Sequence, residues 1–463
     1  MNIIICGAGR VGFTIAKQLS EQGHSITVID TSSEDIQKID DALDVKAIVG
    51  KATYPSILEK ANAAETDMII AVTRNDEINM VICQIAFSIF NIPKKIARIR
   101  SQDYLNPKFT TVYNKENLPI DVIISPELEI AKSIQRKLEA PGALDSVPFA
   151  KNKIRLLEIF INDGCSLINI KLKDLTKKYP NLDANVIGII RDDKFIIPKK
   201  DDEIKMNDKI YVIINSSQTV ETLEAFGHTE KVSKKILIVG GGNIGFNLAK
   251  NIEETLDAAR VKIVEKDKER AEFLASELNN TIVINGNGLD EEVLAEANLE
   301  EAETVLALTN DDEDNLMVGV LVEKFAKDEK EIEDKRTMAL VNKPNYSLLQ
   351  DSLKIDDLID PRMNTVSSIL KHVHKGTIET AYTIMNGEYE VIEAEIIETS
   401  ELINKDLKNS NLPEEIRIGA ILRKDKIIIP RSDFVFIKDD KVVFLAKKDS
   451  ISVVENIFRI SSI

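Results

Sequence analysis

The stretch MNIIICGAGRVG, residues 1–12, and the stretch KILIVGGGNIG, residues 235–245, share one pattern: an apolar run followed by G-x-G-x-x-G. In this fingerprint one glycine permits a tight turn, one lets the backbone approach a pyrophosphate, and one lets the following helix pack closely on the strand. The amino terminus of that helix then binds the anion. The two copies predict two nucleotide-binding units in one chain.

An acidic residue follows each fingerprint where a ribose-binding carboxylate is expected. The apolar run 25–29 leads to Asp30, and the apolar run 261–264 leads to Glu265. In dinucleotide-binding folds an acid about 20 residues after the glycines binds the ribose. A single fingerprint is weak evidence, but this setting recurs in both copies. Asp30 is followed by Thr31 and not by a basic residue, which favours NAD or an adenine nucleotide over NADP.

The whole chain is an internal repeat. Gly7 and Gly240, like Thr73 and Thr309, lie about 235 residues apart, and the sequence therefore indicates a tandem duplication. In each half, apolar strands alternate with helical stretches, which predicts a parallel sheet with helices on both faces. A helical stretch and a β-rich segment with a hairpin follow.

The predicted fold is α/β, with two Rossmann-like doubly wound parallel-sheet domains, each followed by a linker helix and a small α+β domain. The predicted ranges are 1–118 for the first large domain, 119–139 for its linker helix and 140–228 for the first small domain; then 233–354, 355–375 and 376–463 for the second copies.

Composition narrows the possible functions. The 463 residues carry a net charge of -17, which disfavours nucleic-acid binding because phosphates require a basic face. No apolar stretch reaches the roughly 18 residues that span a bilayer, and no signal peptide is evident, so we expect a cytoplasmic protein. The three cysteines and four histidines lack metal-ligand or catalytic spacing, and we expect neither a metal site nor a catalytic residue.

Dinucleotide folds usually belong to dehydrogenases, so an enzyme must be considered. Hydride transfer needs a proton donor or acceptor facing the nicotinamide, and no His, Cys or Lys recurs with the fingerprints in a way that suggests one. An NAD-dependent oxidoreductase and a stand-alone nucleotide sensor remain as alternatives. Thr73, Asp76 and Asn79 follow the fourth strand and either line a ligand or cap the next helix.

Further motifs carry a family resemblance. The run T-x-x-D-E-x-N-M at 73–80, KIARIR at 95–100 and TNDDE at 309–313 accompany the duplicated fingerprint. With these motifs the sequence resembles the TrkA family, the cytosolic regulatory proteins of bacterial Trk potassium uptake systems, built from two RCK-type units. The resemblance implies binding of NAD(H) and ATP or ADP, and a homo-oligomer of two to four chains. It also implies control of a potassium-translocating membrane subunit, which would hold the protein at the inner face of the membrane.

The resemblance and the strand ends together predict the ligand-binding residues. The fingerprint glycines would face the phosphates, Asp30 the ribose, and Thr73 with Arg98 or Arg100 would line the same cleft. The aligned segment 337–342 has no arginine, so we expect the first site to hold the regulatory nucleotide and the second to be secondary. The predicted binding residues are Gly7, Gly9, Arg10, Val11, Gly12, Asp30, Thr31, Ala52, Thr53, Thr73, Arg98, Arg100, Gly240, Gly242, Asn243, Ile244, Gly245, Glu265 and Thr309.

Overall fold

The computed structural model describes residues 1–106, 108–256, 258–328, 335–370, 372–373, 380–385, 388–450, 453 and 457–458. The chain forms two compact units. The first unit contains Met1–Gln135 and Ser233–His372, and thus both large domains; the second contains Arg136–Val232 and Val373–Ile463, and thus both small domains.

The first large domain is a parallel six-stranded sheet with helices between the strands. Its strand order, β3-β2-β1-β4-β5-β6, is that of a dinucleotide-binding fold. The strands are β1 Asn2–Cys6, β2 Ser25–Asp30, β3 Lys46–Val49, β4 Met68–Ala71, β5 Lys94–Arg98 and β6 Val122–Ile124. The helices are α1 Arg10–Glu21, α2 Ser33–Ala42, α3 Pro55–Lys60, α4 Asp76–Ser88, α5 Gln102–Leu105 and α6 Pro126–Glu139.

The first small domain is an antiparallel sheet of five strands in the order β10-β9-β11-β8-β7. Asp192 and Asp193 join β9 to β10 with φ of 50° and 58°, the left-handed values that a tight hairpin turn requires. The strands are β7 Ala143–Phe149, β8 Ile154–Phe160, β9 Ala184–Arg191, β10 Lys194–Ile196 and β11 Lys209–Asn215. The helices are α7 Leu172–Lys178 and α8 Thr219–Ala225.

The second large domain repeats the first, with strand order β14-β13-β12-β15-β16-β17. Its strands are β12 Lys235–Val239, β13 Arg260–Glu265, β14 Ile282–Asn285, β15 Thr304–Ala307, β16 Arg336–Leu340 and β17 Asp357–Ile359. Its helices are α9 Asn243–Thr255, α10 Lys268–Glu277, α11 Glu291–Glu296, α12 Asp312–Asp328, α13 Gln350–Leu353 and α14 Pro361–Leu370.

The second small domain has the strand order β18-β19-β22-β20-β21. This is the order of the first small domain when that sheet is read from its other edge, β7-β8-β11-β9-β10. The strands are β18 Thr380–Ile384, β19 Tyr389–Glu395, β20 Ile416–Arg423, β21 Lys426–Ile428 and β22 Lys441–Lys447. The predicted fold class is therefore confirmed, with two parallel and two antiparallel sheets.

Burial explains why the large domains form parallel sheets. The residues Ile3, Ile4 and Ile5 of β1 are all at most 1% exposed, as are the equivalent Leu237 and Ile238 of β12. Strands covered by helices on both faces read as continuous apolar runs, which is what both fingerprints show before their glycines. The glycine turns therefore follow the central strands of the two sheets.

The structure differs from the prediction where the large domains end. The range 119–139, predicted as a linker helix, also holds β6, and α6 begins only at Pro126. The range 355–375, predicted as the second linker helix, likewise contains β17 before α14 begins at Pro361. Its last two residues, 374–375, lie outside the described residues. A strand of three residues is too short to show a periodic pattern.

Among the described residues, no helix has both the length and the apolar character needed to cross a membrane.

Candidate functional site

The first fingerprint folds into a tight turn between β1 and α1. Gly7 has a φ of +119°, and a Cβ atom there would lie 2.9 Å from the carbonyl oxygen of Val72. A Cβ atom at Gly9 would meet nothing within 4 Å, so this part of the backbone faces open space. At Gly12 a Cβ would lie 1.8 Å from the carbonyl oxygen of Gly7. Gly7 and Gly12 are thus required by the close approach of other backbone atoms, whereas Gly9 faces open space in which a ligand could bind.

The second fingerprint has the same geometry. Gly240 has a φ of +107°, a Cβ at Gly242 would meet nothing within 4 Å, and a Cβ at Gly245 would lie 2.2 Å from the carbonyl oxygen of Gly240. The two turns therefore present their second glycine to the same kind of open space at the amino terminus of a helix, where anions are stabilised.

The two predicted acids hold the glycine turns in place. One carboxylate oxygen of Asp30 accepts the amide of Ala8 at 2.6 Å, and the other accepts the amide of Ser32 at 2.8 Å. Glu265 accepts the amide of Gly241 at 2.7 Å in the same way. A carboxylate has lone pairs for further donors, so these contacts are compatible with ribose hydroxyls binding to the same groups.

Asn79 links the ends of two neighbouring strands. Its Oδ1 accepts hydrogen bonds from the amide and the hydroxyl of Thr73 at 3.0 and 2.7 Å, and its Nδ2 donates to the carbonyl of Arg98 at 2.8 Å. The cap of α4 is Asn75, whose side chain accepts the amide of Ile78. Thr73 and Asn79 are therefore not the caps of this helix; they fix the loops that follow β4 and β5.

The substitution Asn79→Ala should destabilise the first large domain more than Asn75→Ala. Asn79 is fully buried, and its removal leaves the amide of Thr73 and the carbonyl of Arg98 without that partner, at a cost of about 2 kcal/mol or more. Loss of the cap at Asn75 should cost about 1 kcal/mol. Urea denaturation of both variants measures the difference, and equal costs would contradict the bridging role of Asn79.

A pocket of about 720 Å³ lies at the second fingerprint and takes lining residues from both large domains. Nine of the predicted binding residues line it: Val11, Arg98, Arg100, Gly240, Gly242, Asn243, Ile244, Glu265 and Thr309. The predicted residues Gly7, Gly9, Gly12, Asp30 and Thr73 lie at the first turn and do not line this pocket.

Arg98 and Arg100, predicted as residues of the first cleft, contribute to a pocket at the second fingerprint. They follow β5 of the first large domain, yet they line the pocket that contains the second fingerprint. The pocket also contains three basic residues that are not among the predicted binding residues, Lys266, Arg270 and Arg362. The absence of an arginine from the aligned segment 337–342 therefore does not leave this pocket without arginines, because the first large domain supplies two of them.

The acids and bases of the pocket are partly paired. Nε of Arg100 donates to Glu127 at 2.8 Å, and Arg362 donates to Asp360 through Nε at 3.1 Å and Nη2 at 2.8 Å. Arg270 donates to the carbonyl of Gly241 at 2.8 Å, and burial lowers its pKa. The Arg270 guanidinium also packs against the rings of Phe246 and Phe273. Such fixed guanidinium groups suit the binding of phosphate oxygens.

The remaining predicted residues lie in different surroundings. Arg10, at the start of α1, donates to the carbonyl of Asn342 at 3.5 Å and thus joins the two large domains. Thr31 is exposed beside Asp30, and Thr53 is half-buried. The side chain of Ala52 packs in the hydrophobic core with residues such as Leu58, so only the backbone of Ala52 could contact a ligand.

Sequence comparison identifies both kinds of domain. The TrkA-N domain model matches residues 3–126 and 236–361, and the TrkA-C domain model matches residues 156–227 and 391–459. The chain belongs to the TrkA family. The Trk system potassium uptake protein TrkA of Azorhizobium caulinodans is 39% identical over 100% of this chain and 99% of its own length. The protein of the same name from Vibrio alginolyticus is 35% identical over 99% of both chains.

Solved structures share the fold at low sequence identity. The GsuK RCK domain superposes with a TM-score of 0.58 at 14% identity, and the alignment covers 99% of this chain and 95% of that one. The GsuK channel bound to NAD gives a TM-score of 0.59 at 13% identity and covers 99% of this chain and 79% of that one. This family member therefore has the RCK fold in both halves.

Proposed function

We propose that this chain is the cytosolic regulatory subunit of a Trk-type potassium uptake system. In this role it binds NAD(H) and ATP or ADP and, through the conformational change that follows, gates a separate potassium-translocating membrane subunit. It works as a homo-oligomer and is held at the inner face of the membrane by that partner. The full-length relatives named as potassium uptake proteins support this role.

One observation carries the proposal: a pocket with nucleotide-binding chemistry is lined by residues of both large domains. A ligand shifts a conformational equilibrium only by its difference in affinity between two states. A nucleotide that contacts two domains has such a difference, because its contacts with the second domain depend on how the domains meet. Binding in this pocket can therefore change the arrangement of the large domains, and that change is the signal that we propose reaches the partner.

Potassium flux into vesicles tests the proposal directly. The membrane subunit is reconstituted with and without this chain, and flux is measured with NAD, NADH, ATP and ADP in turn. We expect flux to change with the nucleotide only when the chain is present. The double variant Gly9→Asp/Gly242→Asp places a negative charge in both phosphate-binding turns, where the backbone faces open space, and it should abolish the nucleotide effect.

The alternatives give different results. An oxidoreductase would oxidise NADH in the presence of a metabolite, which NADH absorbance detects. A stand-alone sensor would bind nucleotides without co-purifying with a polytopic membrane protein. A potassium flux that is unchanged by the chain and by every nucleotide would refute the proposed role.

A further inference from the structure

We infer that His228 is a proton-dependent switch at the end of the first small domain. In its protonated form the ring binds both β8 and the segment through which the chain leaves this domain, and in its neutral form it releases that segment. This connecting segment comprises residues 229–232 and leads to Ser233, where the first compact unit resumes. The inference goes beyond the proposed function, because the switch needs neither a nucleotide nor a membrane partner.

The end of α8 fixes the backbone of His228. The amide of Gly227 donates to the carbonyl of Glu224 at 3.1 Å. The amide of His228 donates to the carbonyl of Leu223 at 2.9 Å. Gly227 has a φ of +92°, the left-handed value that this helix ending requires. The imidazole therefore extends from a fixed backbone, and His228 is buried, with 7% of its surface exposed.

Both nitrogens of the His228 ring face a hydrogen-bond acceptor. Nε2 lies 2.8 Å from the carbonyl oxygen of Phe160, the last residue of β8. Nδ1 lies 3.3 Å from Oε1 of Glu230 in the connecting segment. A carbonyl oxygen and an ionised carboxylate only accept hydrogen bonds. A neutral imidazole has one N–H group and a protonated imidazole has two, so only the protonated ring donates to both partners.

The neutral ring keeps only one of these two bonds. When its single proton is on Nε2, the lone pair of Nδ1 faces the Glu230 carboxylate and repels it. The side chain of Glu230 is 53% exposed, so it can turn towards water when this bond is lost. Loss of the proton therefore releases Glu230 and with it the connecting segment. Histidine is the side chain whose charge ordinarily changes between about pH 5 and pH 8.

Gly142 provides the space in which the switch lies. It stands between α6 and β7 and has a φ of +88°. A Cβ atom there would lie 2.7 Å from Oε2 of Glu230 and 2.8 Å from Cβ of His228. The chain enters the second compact unit at Arg136 and leaves it after Val232. The switch thus joins the chain soon after it enters this unit to the chain shortly before it leaves.

The elements around the ring contribute groups of different kinds. The connecting segment contributes the Glu230 carboxylate, β8 contributes the carbonyl of Phe160, and the turn before β7 contributes the backbone of Gly142. The loop after β8 packs against the residue before His228 through the amide nitrogen of Cys165. Burial raises the pKa of the Cys165 thiol, so this group stays neutral near pH 7. A change in the charge of the ring therefore acts on Glu230.

Spin labelling of the connecting segment in the full chain tests the inference. Thr229 is exposed and the three native cysteines are buried, so a nitroxide reagent labels position 229 of the variant Thr229→Cys. The electron paramagnetic resonance spectrum then reports how freely this segment moves. We expect the immobilised component of the spectrum to be lost as the pH rises from 6 to 8, because the ring then loses its second N–H group.

Two substitutions of Glu230 in the labelled chain separate the switch from other effects of pH. The amide of glutamine donates to an unprotonated Nδ1 and accepts from a protonated one, so Glu230→Gln should keep the segment immobilised at both pH values. Glu230→Ala removes the partner and should leave the segment mobile at both. Glu224→Gln is the matched control, because it removes the same charge from an exposed position on α8. This control should retain the pH dependence of the parent.

Two results would overturn the inference. One is a spectrum of the labelled parent that is the same at pH 6 and at pH 8. The other is a Glu230→Gln variant that becomes mobile at pH 8 as the parent does. Both results leave the proposed function standing, because they are obtained without nucleotide and without the membrane subunit, whereas potassium flux tests the proposed function separately.

Discussion

Gly12→Ala should unfold or severely loosen the first large domain and abolish nucleotide binding at the first fingerprint. A Cβ atom at this position would lie 1.8 Å from the carbonyl oxygen of Gly7, far inside any contact that real atoms make. The clash is with backbone, so no side-chain rotation relieves it. Helix α1 would have to move away from β1, which exposes core residues such as Ile15 and costs about 3 kcal/mol or more. Urea denaturation and calorimetry with NAD measure the two losses.

Gly9→Ala is the matched control, because it makes the same chemical change three residues away. A Cβ there meets nothing within 4 Å, and the φ of Gly9 is -64°, which alanine adopts readily. This variant should keep the stability of the parent and lose only affinity for nucleotide, since a methyl group now stands where the phosphate approaches. If Gly12→Ala were as stable as Gly9→Ala, the close packing of α1 on the turn would be refuted as the reason for the third glycine.

The fold was largely predictable because its strongest signals are local. A buried central strand is continuously apolar, and a phosphate-binding turn needs glycine at fixed spacing, so residues 1–12 and 235–245 reveal both features without tertiary information. Because the chain is duplicated, both features occur twice in the sequence. The strands β6 and β17 were missed because three residues, such as Val122–Ile124, pair through contacts with β5 that no local pattern records.

The pocket was less predictable because two domains build it. Aligning the halves correctly showed that Arg98 has no arginine counterpart, and Leu340 indeed occupies the equivalent backbone position. The alignment could not show that Arg98 lines the pocket of the second fingerprint. An alignment of the two halves compares each residue with its equivalent in the other half, whereas the pocket is lined by residues that are not equivalent to each other. Arg270 lacked any signal, because it is the third residue of a helix that is rich in exposed charged residues and carries no binding motif.

The two proposed nucleotide sites are also connected through the side chain of Asn79. Asn79 holds Thr73, beside the first turn, and the carbonyl of Arg98, which lines the second pocket. Movement of Thr73 on nucleotide binding would therefore displace the strand end that carries Arg98. Any coupling of this kind is reciprocal, so a ligand in either site should change the affinity of the other by the same factor.

Glu390→Gln should stabilise the second small domain at pH 8 and remove most of its pH dependence above pH 5. Glu390 lies within β19 and is 2% exposed. Burial raises the pKa of its carboxyl from the ordinary 4.5 to about 7, against the opposing effect of Lys448. The folded protein thus keeps a proton that the unfolded chain releases. Stability from this group is complete below about pH 4.5 and is lost as the pH rises through about 7, a loss of about 3 kcal/mol.

The measurement is the urea midpoint of the parent and the variant between pH 5 and pH 8. Glutamine has the shape of the protonated acid and carries no charge, so the parent should approach the variant at low pH and fall below it at high pH. Glu388→Gln is the control, because Glu388 is exposed two residues away and its substitution should leave the slope unchanged. A parent that becomes more stable from pH 5 to pH 8, with Glu390→Gln following the same curve, would show that the Glu390 carboxylate is ionised and well solvated in the folded protein.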